Sequence, residues 1–192
     1  MIKTAFVEDE VFTGVNYSVE KLPRGEYENC TFVNCDFSGS DLTGCIFTEC
    51  EFRECNLSMA KVANTAFKDV GFKACKLVGV HFDSCNQFLL SFSFEDCPLN
   101  LASFYKLSIK KTRFTNCGLQ EVDFAEADIS QSQFTNCDMG GAIFDRTNLE
   151  KADLRTSFNY IIDPDNNRLK KAKFALAGLS GLLAKYDIQI SS

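Results

Sequence analysis

A large apolar residue returns at every fifth position through most of this 192-residue chain. The beat is clearest at Phe32, Phe37, Leu42, Phe47, Phe52 and Leu57, and two positions before each stands Cys30, Cys35, Ser40, Cys45, Cys50 or Cys55. It extends back through Tyr27, Leu22, Tyr17 and Phe12, and forward through Val62, Phe67, Phe72, Leu77 and Phe82. After the stretch from Asp83 to Ser93 it resumes two residues out of phase at Phe94 and runs through Phe104, Phe114, Phe124, Phe134 and Phe144 to Leu154. From Phe32 to Phe144 thirteen of the nineteen Phe fall on the beat, so the repeat governs the fold before any local propensity does.

An amphipathic helix repeats its apolar face at about 3.6 residues and a flat strand at about 2, so a period of five fits neither and requires a turn in every repeat. If the beat residue and the residue two before it both point inward, the other three face water and carry the chain round a corner. A chain that bends the same way every five residues winds into a solenoid whose coils bury their faces only by stacking. The tetrapeptide Phe114-Thr115-Asn116-Cys117 recurs as Phe134-Thr135-Asn136-Cys137, and Cys35, Cys55 and Cys75 share one column, which points to four sides per coil. Residues twenty apart then become cross-strand neighbours, separated by ~4.8 Å.

These residues resemble the pentapeptide-repeat proteins, from about Phe12 to Leu154. The resemblance implies an all-β fold, a right-handed quadrilateral β-helix, here with a short C-terminal helix. The order of parts is similar to that of the quinolone-resistance (Qnr-like) branch: a lead-in, two repeat blocks separated by an irregular stretch, and a helical tail. The chain accordingly divides into an N-terminal capping segment (1–26), a repeat solenoid (27–157) with a register break near 86–93, and a C-terminal cap or dimerisation tail (158–192).

All ten cysteines stand two before a beat residue, except that Cys85 precedes Gln87. The same slot elsewhere holds Ser, Ala, Thr or Val, so cysteine serves as a small buried residue. In a four-sided coil, column neighbours such as Cys30 and Cys50 would have Cα atoms within disulfide range. The opening residues lack the apolar core of a signal peptide, however, so reduced thiols in the cytoplasm are expected. The Cys-x4-Cys spacing is not a zinc knuckle, and no apolar run reaches the ~20 residues of a membrane span.

In the lead-in, Ile2, Phe6, Val7 and Val11 alternate as a strand would. In the break, continuing the first register would bury Gln87, whereas Phe88, Leu90, Phe92 and Phe94 alternate as a strand, so a two-residue insertion is expected between Asn86 and Ser93. The insertion leaves no room for large projecting loops. In the tail, Leu176, Leu179, Leu182, Leu183 and Tyr186 follow helix spacing, and Ile188 and Ile190 alternate as a short strand. Gly178 and Gly181 make this a poor solitary helix, so it must either close the last coil or pair with its twin. The family resemblance implies a homodimer through those five apolar residues.

The residues contain no catalytic constellation. His81 is the one histidine, on an outward position, with no nucleophile beside it. There is no phosphate loop, and no cofactor or metal is expected. Net charge is −6, and residues 27–157 carry 18 acidic against 12 basic side chains, which repels nucleic acid. An acidic rod can instead imitate a duplex and occupy a basic DNA-binding saddle. The Qnr-like resemblance implies such a role toward type II topoisomerases, DNA gyrase or topoisomerase IV, with protection from quinolone-type inhibitors. The candidate acidic face is Glu121, Asp123, Glu126, Asp128 and Asp145, and Glu49, Glu51 and Glu54 form a second group. Lys106, Glu126 and Arg146, twenty apart, are expected to stack as a ladder of alternating charge. The competing expectation is a protein-interaction scaffold with a partner unrelated to DNA.

Overall fold

The computed structural model describes residues 5–189, so the expectations for Ile2 and Ile190 lie outside the described residues. Eleven short strands follow one another: β1 (Ala5–Glu8), β2 (Val11–Thr13), β3 (Gly25–Glu28), β4 (Thr31–Val33), β5 (Ile46–Thr48), β6 (Glu51–Arg53), β7 (Ala66–Lys68), β8 (Val70–Lys73), β9 (Phe92–Glu95), β10 (Arg113–Thr115) and β11 (Gln133–Thr135). The odd strands from β1 to β7 form one parallel sheet; β2, β4, β6, β8, β9, β10 and β11 form another of seven strands. The remaining two sides of each coil are held by single parallel bridges, as in the series His81, Ser103, Asp123, Ile143. Partners are twenty residues apart, as in Phe32↔Phe52 and Phe114↔Phe134, which closes a four-sided coil. The fold is the quadrilateral β-helix expected from the repeat.

Corners form where the second residue after a beat residue takes a left-handed backbone, as it does in most repeats, among them Asn34 (φ 52°), Gly39 (φ 62°) and Asn64 (φ 54°). Gly and Asn adopt that conformation at least cost. The outward residue at mid-side assists: the Asp36 carboxylate accepts the Ser38 N–H at 2.9 Å and Asp41 accepts the Thr43 N–H at 3.0 Å. Asn16, Asn56 and Asn148 do the same for the N–H two residues on.

Inside, the beat residues stack in columns. Rings of Phe12, Phe32, Phe52, Phe72, Phe94, Phe114 and Phe134 follow one another at 4.7–5.3 Å with interplanar angles of 5–17°. Each ring meets the neighbouring column edge-on, as Phe32 meets Phe37 at 5.5 Å, the arrangement that aromatic quadrupoles favour. All ten cysteines are buried free thiols. Six of them form one column in which Cys75 Sγ accepts the Cys55 N–H at 3.4 Å and donates to the Phe52 carbonyl at 3.2 Å. A buried thiol in the small slot thus finds an acceptor for its S–H in a carbonyl of the preceding coil.

Between Asn86 and Phe92 the partner offset changes from twenty (Ala66↔Asn86) to twenty-two (Val70↔Phe92). The bulge leaves the column of Phe47 and Phe67 without its next member, because Gln87 and Leu89 are both exposed. Phe92 fills the gap from a slot that otherwise holds a small residue, with its ring 5.8 Å from Phe67 and 5.2 Å from Phe82. Leu107, also in a small-residue slot, is fully buried one coil on. The alternation read into Phe88–Phe94 holds for Phe92 and Phe94; Leu90 is half-buried and Phe88 points to solvent, since the strand starts only at Phe92.

Coil pairing continues past Leu154 to Asp153↔Lys173. The tail then folds over the last coil as a 3₁₀ turn (Leu176–Gly178), a one-turn helix α1 (Ser180–Leu183) and a second 3₁₀ turn (Ala184–Tyr186). Phe174 and Leu182 pack on the core, and the Ile162 N–H donates to the Gly181 carbonyl at 3.0 Å. Gly178 and Gly181 sit so close on Tyr160 that a Cβ at either would collide with it. Lys185 clamps the turn to Asp163 and Asp165. Residues 187–189 form no strand, contrary to the alternation read around Ile188.

Candidate partner-binding surface

Glu121 and Glu126 occupy left-handed corner positions (φ 57° each), and Asp123 lies at the centre of the side between them. Asp128 belongs to the following side, and Asp145 lies at a corner one coil on. The five therefore wrap round an edge of the rod. Most are already neutralised. Glu126 is held by Lys106 at 3.6 Å and Arg146 at 2.9 Å, the alternating ladder expected from their spacing. Asp128 pairs with Lys110 at 3.2 Å and Asp145 with Arg146 at 3.3 Å. Only Glu121 and Asp123 make no ion pair among the described residues. In the second group Glu51 pairs with Arg53 at 2.5 Å, while Glu49 and Glu54 stand exposed at corners.

A denser acidic flank lies at the other end of the rod. Glu8 pairs in register with Glu28, and Glu26 lies on the same sheet as an outward residue. At the adjoining corner, the left-handed position is held in successive coils by Asp9, Asn29, Glu49 and Asp69. Glu8, Asp9, Glu26, Glu28, Glu49 and Asp69 are all exposed, and none has an ion-pair partner among the described residues. Stacking places successive members of the corner series ~4.8 Å apart. The charge is graded along the axis: residues 1–58 carry eleven acidic and four basic side chains, whereas residues 146–192 carry five acidic and eight basic ones. The flank joins acids twenty apart in the chain, Glu8 with Glu28 and Glu49 with Asp69, to acids that are near neighbours in it, Glu8 with Asp9 and Glu26 with Glu28. The signal was the repeat column itself.

The catalytic inventory is short. His81 is exposed, with Nδ1 3.3 Å from Asp83 Oδ1. All ten thiols are buried away from any substrate, and burial pushes Cys50 and Cys97 up to about 11. Among the described residues no cluster of three or more His, Cys, Asp or Glu has metal-binding geometry. No described helix is long and apolar enough to cross a membrane.

At the C-terminal end, Leu176 is 85% exposed, and Leu179, Tyr186 and Ile188 are also exposed beside Phe158 and Ile161. Of the five tail residues expected to pair with a second copy, Leu182 is turned toward the core and Leu183 is half-buried. The tail and the last coil enclose an open cleft of about 650 Å³ lined by Phe158, Ile161, Ala177 and Ala184.

Comparison with known proteins agrees with this architecture. The family model of the pentapeptide repeat region matches residues 26–93 and 88–158. No curated protein sequence matches the chain. Among solved structures, trypsin-treated QnrB1, a plasmid-mediated fluoroquinolone resistance protein, is 24% identical over 96% of this chain and 99% of its own, with a TM-score of 0.50. HetL, a pentapeptide repeat protein involved in heterocyst differentiation regulation from the cyanobacterium Nostoc sp., is 16% identical over 91% of this chain and 90% of its own, with a TM-score of 0.63. At these identities the likeness is one of fold. The chain belongs to the pentapeptide-repeat family.

Proposed function

We propose that this protein is a non-catalytic binding protein whose acidic flank occupies the basic DNA-binding saddle of a type II topoisomerase, DNA gyrase or topoisomerase IV, and protects it from quinolone-type inhibitors. The observation that carries this reading is the exposed acidic flank of the first coils, without an ion-pair partner among the described residues. Regularly spaced fixed negative charge on a rigid rod is what a surface built for phosphates attracts. Additional support is the shared fold with QnrB1, itself a fluoroquinolone resistance protein. The flank from Glu8 to Asp69 fits the role better than the Glu121 group, whose charges are largely spent on Lys106, Lys110 and Arg146.

The exposed apolar tail supports a two-fold dimer through Leu176, Leu179, Leu183 and Tyr186, with the acidic flanks at the distal ends. The alternative role, a scaffold with a partner unrelated to DNA, differs in its salt response, because apolar docking survives ionic strength that screens exposed charge.

The test is gyrase supercoiling with and without a fluoroquinolone, comparing the wild type with E28Q/E49Q/D69N and with E121Q/D123N/D128N. The expected result is inhibition or drug protection by the wild type that the first variant loses and the second largely keeps. Absence of any effect at protein concentrations well above those of the enzyme would contradict the topoisomerase reading.

A further inference from the structure

The register bulge does more than shift the phase of the coils: it exposes two large apolar side chains side by side. Phe88 is 69% and Leu89 64% exposed, with no described residue covering either. Leu89 holds a left-handed backbone (φ 58°), a conformation that Asn or Gly takes more readily. Neither side chain serves the core, since the gap that the bulge leaves in the Phe47 and Phe67 column is filled by Phe92. The position is distinctive as well. Leu89 shares a surface depression with Thr48, Glu49, Lys68 and Asp69, so the apolar pair stands at the top of the acidic corner series.

We propose that Phe88 and Leu89 form an apolar anchor which, together with the acidic corner beneath it, docks into a protein surface carrying an apolar notch rimmed by basic side chains. This rests on the proposed role, and it identifies where on the rod the topoisomerase saddle is gripped. The charge arrangement selects the occupant. Glu49 and Asp69 next to the anchor favour a basic rim over an acidic or neutral one, and disfavour a second copy, whose own flank repels. Desolvated aromatic and aliphatic anchors commonly carry most of the energy of an interface, while surrounding charges steer encounter and set orientation. Contributions from the two parts are therefore separable: the anchor sets dissociation, and the acids set salt dependence.

The experiment measures binding of the full-length protein to purified DNA gyrase at low and high salt, for the wild type, F88S/L89N and E49Q/D69N. Asn is chosen at Leu89 because it accepts the left-handed backbone, so F88S/L89N is expected to melt no lower than the wild type. Its affinity is expected to fall about tenfold or more, with an unchanged salt slope. E49Q/D69N is expected to flatten the slope instead. Wild-type binding matched by F88S/L89N would overturn the anchor while leaving the topoisomerase role intact. Absence of wild-type binding at either salt would remove the partner, and the anchor proposal with it.

Discussion

Asp36 and Asp41 show how one side chain serves both the fold and its pH response. The Ser38 N–H holds the Asp36 carboxyl below the usual range, and the Thr43 hydroxyl and N–H do the same for Asp41. A depressed folded value means that stability is fully present above the unfolded value of about 3.9 and is lost as pH falls through the folded one. Asn makes the same turn bond at Asn16, Asn56 and Asn148, so D36N/D41N is expected to match wild-type melting at neutral pH. Between neutral pH and about pH 3 the variant should lose less stability than the wild type; equal losses would show that these carboxylates do not couple to folding. A second residue-scale expectation concerns the thiols. With all ten buried and Cys50 and Cys97 pushed up to about 11, the native protein should resist a thiol reagent that labels every cysteine after denaturation. Rapid labelling without unfolding would contradict the packed columns. Residue identity at the inward positions was legible in the sequence, because a beat of five leaves little freedom about which side chains face inward. What it left open was which acids are neutralised, since ion pairs such as Lys110–Asp128 join residues eighteen apart as well as stacked positions twenty apart such as Glu126 and Arg146.

The tail is the element in which sequence and structure diverge most. Helical spacing from Leu176 to Tyr186 was legible, yet only Ser180–Leu183 forms an α-turn, bracketed by 3₁₀ turns. The cause is close approach: Gly178 and Gly181 lie against Tyr160, so docking on the last coil, not helix propensity, sets the local backbone. Gly178→Ala and Gly181→Ala, each of which raises intrinsic helix propensity by roughly 1 kcal/mol, should nonetheless loosen the tail. Hydrogen exchange would register this as lost protection at the Ile162 N–H, which bonds the Gly181 carbonyl. Unchanged protection would show that the tail is held elsewhere. The bulge at 86–92 was legible as an insertion but not in its packing. An oversized Phe92 in a small-residue slot was the available sign that a column member was missing.

On the scale of the whole molecule, the rod is electrostatically polar. Its first coils carry the exposed acids Glu8, Asp9, Glu26, Glu28, Glu49 and Asp69, which have no ion-pair partner among the described residues, and its far end carries a basic excess and the exposed tail. Net acidity and its gradient along the chain were visible in the sequence, whereas the meeting of Glu8 with Glu28 and of Glu49 with Asp69 became visible only once residues twenty apart were stacked. The most direct test of the proposed role is displacement of a fluorescently labelled DNA duplex from purified gyrase by increasing concentrations of this protein. Competitive displacement that weakens with added salt and is lost in E28Q/E49Q/D69N is the expected result. Duplex that stays bound while this protein also binds, or displacement indifferent to those three carboxylates, would contradict the claim that the acidic flank stands in for DNA.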